Sequence, residues 1–424
     1  MTGKYAHECM IPALGWRMSP SERTLADEFN EQGYETAYFG KWHLYGGQIN
    51  VNGYNAKEEN SKPVPRSHQG RWRHWRGFDL RNAPFDTDYY VDDDPAPHRI
   101  DGYQTDGLFD LAEDFLGNDR DKSKPFCCVV SVEPPHPPFE APAKNERDWL
   151  SKEPELPPNF MVADNDLLRV NCARSENADG TTAERILRNR KLYYAMTENL
   201  DANVGRIMHF LKDEGLSENT LVMFISDHGE LGGSHCLENK QYPYEESIGI
   251  PLIISGPGII PGNRPELPVC SEDLFPTILG LAGLEPQDKC SGSDLSPLVR
   301  GKTDEMARPG VLLQFVWEPR PGTPFYQQIW RGFRSKRYKY TVLGDFERGL
   351  QPWQFFDLGK DPYELKNLIN VPESAKLIEQ HHGWLRERML EIGDDEVRLL
   401  KKNKKLTCKK RKLSERYRME AVPV

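Results

Sequence analysis

Three times in this chain an apolar run ends directly on a group of ionisable residues. Residues 34–39 lead into Gly40-Lys41-Trp42-His43, residues 126–132 into Glu133-Pro134-Pro135-His136, and residues 221–225 into Ser226-Asp227-His228-Gly229. Short continuous apolar runs bounded by turn residues read as strands buried on both faces. In open α/β sheets ligands gather beyond the carboxyl ends of the strands, so three such junctions are expected to meet on one rim. Lys41, His43, His136, Asp227 and His228 are therefore placed around a single cleft. The loop that follows the third junction adds Lys240, and His235 on the same loop is expected either at the pocket rim or facing water.

Helical patterns separate these runs. Ser19-Pro20-Ser21-Glu22 has the spacing of a capping box with Pro at the first helical position, Leu25 and Phe29 give the apolar face, and Gly33 marks the end. Further helices are expected at about 105–116 and 183–212, the latter with Leu200, Val204, Ile207 and Leu211 in a stripe. Strands alternating with helices predict an α/β fold over residues 1–305, a mostly parallel sheet sandwiched by helices. Residues 306–395 change texture. Runs at 327–333, 338–343 and 355–358 read as a small antiparallel sheet closed by a helix at 373–392, a C-terminal α+β subdomain. Residues 396–424 read as a solvated basic tail. Residues 50–100 lack a sustained period and are expected to be surface loops, with Arg71, Trp72, Arg73, Trp75 and Arg76 forming either a wall able to stack a sugar and hold an anionic group or packing within the loops.

Charge narrows the partners. Asp and Glu outnumber Lys and Arg by 65 to 55, and residues 401–424 alone hold ten Lys/Arg against two Asp/Glu, so the acidic excess falls on the body of the chain. Such a body repels phosphate backbones, which removes the usual electrostatic route to nucleic acid. No apolar run approaches the roughly 18 residues of a membrane span. No CxxC pair exists among the 8 cysteines, and Cys127-Cys128 sits inside an apolar run as small buried side chains.

The polar set supplies two lysines, several imidazoles and one carboxylate beside an imidazole. Such a set suits an oxyanion rich in oxygens next to a divalent metal, because the cations offset charge as it develops on those oxygens. No GxSxG elbow, Walker loop or GxGxxG follows a strand, so acyl transfer and nucleotide binding have no motif behind them.

The same junctions resemble the sulfatases of the alkaline phosphatase superfamily. The likeness runs through Gly33-Tyr34-Glu35-Thr36 and Gly40-Lys41-Trp42-His43-Leu44, then Gly102-Tyr103-Gln104-Thr105-Asp106 and Pro135-His136-Pro137-Pro138-Phe139. It continues through Leu200-Asp201-Ala202-Asn203-Val204-Gly205, Ser226-Asp227-His228-Gly229-Glu230, Lys240 with Tyr244-Glu245-Glu246, and Asp273-Leu274-Phe275-Pro276-Thr277. It closes on Phe356-Asp357-Leu358 with Asp361-Pro362 and Asn367-Leu368. The resemblance implies an alkaline phosphatase-like fold and hydrolysis of sulfate esters, with a sulfated small molecule or carbohydrate as substrate. It implies that Lys41 and His43 flank the nucleophile, that His136 and Lys240 hold the sulfate and help protonate the leaving oxygen, and that Asp227 and His228 bind the metal. In the family that metal is usually calcium. Calcium prefers oxygen ligands, so His228 leaves manganese or zinc open.

The family's nucleophile is a formylglycine made within a C/S-x-P/A-x-R pattern, and its metal site takes an Asp-Asp pair from the first strand. Neither is found in this sequence: Ile11 and Ala13 break the pattern after Cys9, and Asp92, Asp93 and Asp94 follow no apolar run. The expectation is a sulfatase lacking the family's first βα unit and inactive as written. Two alternatives stay open, a phosphate or phosphonate ester hydrolase of the same superfamily and a non-catalytic protein that binds sulfated glycans. A signal peptide in a preceding segment would make the protein periplasmic or secreted; localisation is otherwise not legible.

Overall fold

The computed structural model describes residues 1–46, 60–160 and 180–400. The tail at 401–424, expected to be solvated, lies outside the described residues. A five-stranded sheet organises the first half of the chain, in the order β4-β3-β2-β1-β5, with β1 at Glu35–Lys41, β2 at His74–Phe78, β3 at Asp88–Val91, β4 at His98–Arg99 and β5 at Phe126–Ser131. β1 pairs in parallel with both β2 and β5, while β3 and β4 extend the sheet antiparallel. A second pair, β6 (Val222–Ile225) and β7 (Leu252–Ser255), is antiparallel.

Helices cover both faces because β1 and β5 alternate. Ala37, Phe39, Cys128 and Val130 pack with Ala112 of helix α2 (Gln104–Asp114), and Ile207 and Leu211 of the long helix α4 (Gly180–Asp213) join them. Tyr38, Cys127 and Val129 point the other way, against Leu25, Ala26 and Phe29 of α1 (Leu25–Glu31) and Phe275 and Leu279 of α5 (Leu274–Leu281). A further helix, α3 (Ala143–Leu150), packs its Trp149 on Tyr194 of α4. Gly40 is required where β1 meets β5: its φ is +104°, and a Cβ there would lie 2.1 Å from the Ser131 carbonyl oxygen. None of the described helices is long and apolar enough to cross a membrane.

The C-terminal part is a four-stranded antiparallel sheet in the order β11-β10-β9-β8, made of β8 (Gly310–Phe315), β9 (Ile329–Ser335), β10 (Tyr338–Asp345) and β11 (Gly349–Asp357). One face packs on Leu385 and Met389 of α6 (Ala375–Glu391) and on Tyr5, while the other, through Trp330 and Phe356, packs on Leu231, Leu237, Tyr242 and Tyr244. The second contact ties this sheet to the loop that carries Lys240.

Two expectations fail. The first helix begins at Leu25, with Thr24 as its cap and Asp27 closing the capping box, rather than at the Ser19-Glu22 box. Arg71 decides this: its guanidinium pairs with Asp27 and donates to the Pro20 and Glu22 carbonyls, holding residues 20–22 out of the helix. Nor are residues 60–100 merely surface loops, since β2 to β4 lie there and Trp72 and Trp75 are fully buried. Trp75 stacks on Tyr38 with ring centroids 5.2 Å apart, so the sugar-stacking wall does not exist; the arginines flank two core tryptophans.

Candidate functional site

β1 ends at Lys41, whose side chain is buried, and the chain then turns through His43 at a φ of +53°. Hydrogen bonds to the end of β2 hold this turn: Trp42 N–H donates to the Phe78 carbonyl at 2.8 Å, His43 N–H to the Asp79 carbonyl at 2.9 Å, and Tyr45 N–H to Asp79 Oδ1 at 3.0 Å. Trp42 wedges edge-on against Tyr38 and Trp75, so the core itself fixes where the lysine and the histidine emerge. Among the described residues His43 Nε2 is buried with no hydrogen-bond partner.

The turn after β5 is fixed by Glu133. Its buried carboxylate accepts from the backbone N–H groups of Arg81 (2.7 Å) and Asn82 (2.8 Å) and from Gln104 Nε2 (2.9 Å), which locks it to the segment after β2 and to α2. His136 N–H donates to the Glu133 carbonyl at 2.8 Å, and its ring Nδ1–H donates to the Pro137 carbonyl at 2.7 Å. Nε2 of His136 is then the acceptor nitrogen of the neutral ring.

After β6, Asp227 Oδ1 accepts from His228 N–H at 3.0 Å, and Asp227 Oδ2 stands 3.6 Å from His228 Nε2. His228 Nδ1–H donates to the Gly229 carbonyl at 2.8 Å, which leaves the Nε2 lone pair beside the carboxylate. Gly229 admits no side chain here, since a Cβ would sit 2.0 Å from the Glu246 carbonyl oxygen. Lys240 is held from both sides. Glu230 Oε1 accepts from Asn239 N–H at 2.6 Å, while the carbonyl of Gln241 accepts from Trp330 Nε1 at 3.0 Å and Gln241 Nε2 donates to Glu318 Oε2 at 3.3 Å.

The six residues act on one another electrostatically. Burial, then Lys41, pushes His43 down to about 3; burial, then Lys240, pushes His136 down to about 4. Burial also lowers Lys240, with Lys41 next, and lowers His228. Burial drives the Asp227 carboxyl upward, but His228 and Lys41 outweigh it and hold it below its ordinary range. Lys41, His43, His136, Asp227, His228 and Lys240 thus lie within electrostatic reach of one another.

The two histidines make stability depend on pH. Both have folded pKa values below the ordinary 6.5, so the unfolded chain binds more protons from about 6.5 down to about 4 for His136 and about 3 for His43. Their contribution is complete above 6.5 and is lost as pH falls through that window. The melting temperature should drop between pH 7 and pH 4.5, and His43→Gln with His136→Gln should flatten the slope; an unchanged slope would show that other groups control it.

His235 is not at a rim and does not face water. It is buried, stacked on Tyr244 at 3.8 Å, with Nε2 3.1 Å from Asn159 Nδ2. Ligand-type atoms of His235, Glu246 and Glu364 lie within 4.8 Å of one another. Asn159 Nδ2 already donates to Glu246 Oε1 at 2.6 Å, and Lys339 Nζ lies 2.6 Å from Glu364 Oε1, so an amide and an ammonium serve this cluster. Sequence reasoning missed Arg320 and its partner Glu318, which meet the Lys240 loop from the segment between β8 and β9; no local pattern links positions nearly eighty residues apart.

Comparison with known proteins agrees with this architecture. Residues 1–284 match the family profile described as Sulfatase, and residues 233–391 match the profile described as N-sulphoglucosamine sulphohydrolase, C-terminal. An ulvan-active sulfatase of Formosa agariphila is 28% identical, the match covering 93% of this chain and 70% of that protein. An endo-4-O-sulfatase of Bacteroides thetaiotaomicron is also 28% identical, over 93% of this chain and 79% of its own length. A structure solved with its substrate D-glucosamine-2-N,6-O-disulfate superposes with a TM-score of 0.73 at 22% identity, covering 93% of this chain and 87% of that one.

Proposed function

The chain belongs to the sulfatase family, hydrolases of sulfate esters, and from that premise we propose that its site takes the sulfate group of a sulfated carbohydrate. The observation that carries this reading is the convergence of Lys41, His43, His136, Asp227, His228 and Lys240 from three strand ends. Lys41 and Lys240 supply positive charge to sulfate oxygens, and their burial makes that charge count for more than it would in water. The neutral rings of His43 and His136 add no charge before the substrate arrives. Burial first and Lys240 second disfavour a proton on His136; an anion seated between the lysines offsets the second of these, which favours a proton from solvent on Nε2 as the ester binds, to be passed to the leaving oxygen. Glu133 and Asp79 keep the two histidine turns in register.

Asp227 Oδ2 and His228 Nε2, 3.6 Å apart and with the imidazole tautomer set by Gly229, fit a divalent metal as two of its ligands. Such an ion would supply further neutralisation of the sulfate oxygens. Two donors fall short of the six to eight oxygens that calcium takes, so residues 1–424 by themselves should bind it weakly. No C/S-x-P/A-x-R spacing occurs in the sequence, which supports the reading that residues 1–424 alone bind sulfate without turning over an ester.

Thermal melting tests the anion site. Sulfate at about a hundred times its dissociation constant should stabilise the protein by roughly 2.7 kcal/mol. Lys41→Ala and Lys240→Ala should lose most of that protection. Stronger protection by phosphate or methylphosphonate would favour the phosphoryl reading, and full protection of both lysine variants would remove the site from these residues.

A further inference from the structure

We propose that Arg320 forms a second anion-binding position beside Lys240, so that the site takes a sulfated sugar carrying another anionic group, a carboxylate or a second sulfate. The inference rests on the sulfatase reading and names the substrate class of the same site.

Arg320 is built as a receptor rather than as a loose surface residue. Glu318 is buried, 2% exposed at its side chain, and its carboxylate takes Arg320 Nε at 2.8 Å, Arg320 Nη2 at 2.7 Å and the Arg320 backbone N–H at 2.9 Å. Gln241 Nε2 donates to the same carboxylate at 3.3 Å, so one buried acid joins Arg320 to the residue next to Lys240. Trp330 Nε1 fixes the Gln241 carbonyl from the C-terminal sheet. The guanidinium therefore keeps one orientation without a ligand, and little rotamer entropy remains to be lost when an anion binds.

Glu318 occupies only one edge of the fork. Among the described residues Arg320 Nη1 has no hydrogen-bond partner, and the side chain is 32% exposed. The guanidinium is also one of the charges that act on Lys240, together with Lys41. Glu230 and Asp227 act on Lys240 in the opposite sense, and Glu318 balances one edge of the guanidinium. A singly charged sulfate meets Lys41 and Lys240, and a ligand with a second anionic group also meets the open edge of Arg320.

Isothermal titration of residues 1–424 can separate this from the sulfate site. The probes are inorganic sulfate, N-acetylglucosamine 6-sulfate with one anionic group, and iduronate 2-sulfate with a sulfate and a carboxylate. The wild-type protein should bind the two-anion sugar about tenfold more tightly than the one-anion sugar, a charge-assisted contact of ordinary size. Arg320→Gln strands the buried Glu318 and can destabilise the fold, so the double variant Glu318→Gln with Arg320→Gln is the main comparison. It should melt near the wild-type temperature, keep its affinity for inorganic sulfate, and bind both sugars equally. Lys240→Ala should weaken all three probes. An unchanged preference in the double variant, or equal binding of both sugars by the wild type, would overturn the second position and leave the sulfate site standing. Failure of all three probes to bind the wild type would overturn the sulfatase reading and this inference with it.

Discussion

Placed behind a segment that supplies an apolar strand ending in Asp-Asp and a C-x-P-x-R turn, residues 1–424 should hydrolyse an aryl sulfate at least about a thousandfold faster than they do alone, since removing a nucleophile costs catalysis by that order or more. The expectation grows from the sheet. β1 is buried at every position, whereas β5, an equally apolar run, is only half-buried throughout, as is β6. Among the described residues β5 pairs only with β1, and β6 only with β7. Two apolar strands with an unpaired edge each are a geometry that folded proteins avoid, and one added strand satisfies both. A strand there would end on the rim where Lys41, His136 and Asp227 emerge.

The extended protein should also gain stability from calcium, because an ion that binds only the native state shifts folding by mass action. Asp227→Ala should abolish that gain. Mass spectrometry reports conversion of the cysteine to formylglycine, so a converted protein that fails to turn over would count against the proposal. Comparable turnover by residues 1–424 alone, abolished by Lys240→Ala, would show instead that the nucleophile lies within them.

How much of this was legible depended on whether the deciding contact was local. Residues 34–39 read as a buried strand by composition, and a strand end is a fixed place in an α/β sheet, so Lys41, His43, His136, Asp227 and His228 could be assigned to one rim from sequence alone. Ser19-Glu22 and Thr24-Asp27 obey the same spacing, so spacing alone does not place the helix start; the arbiter is Arg71, more than forty residues away. Trp72 and Trp75 were read as a surface wall because arginines alternate with them. Arginine keeps its charge in water while its stem lies along apolar surface, so such alternation is as compatible with an edge of the core as with a binding face. His235 looked like a solvated loop residue until the fold laid it on Tyr244. Arg320 carried no signal, because its meaning comes from Glu318 meeting Gln241 across two parts of the chain.

In the same extended protein, His136→Ala should slow hydrolysis of an alkyl or sugar sulfate by about 10²- to 10⁴-fold, the usual contribution of a positioned acid, and slow an activated aryl sulfate far less. The reason lies in how the ring is held. With Nδ1–H committed to the Pro137 carbonyl, a proton on His136 can be delivered only from Nε2, and the Glu133 network fixes the direction in which Nε2 points. Burial and Lys240 keep the free ring neutral down to about pH 4. A sulfate anion offsets the lysines' share of that shift, which favours the protonated ring with substrate in place. An alkoxide needs that proton to leave, whereas a nitrophenolate does not. Metal-dependent stabilisation should survive His136→Ala, since the proposed ligand pair Asp227 and His228 is held by the turn after β6 and not by the turn after β5. Equal losses on both ester types would remove the acid role and leave His136 as a sulfate contact alone. Loss of the metal effect as well would mean that the β5 turn supports the metal site rather than the leaving group.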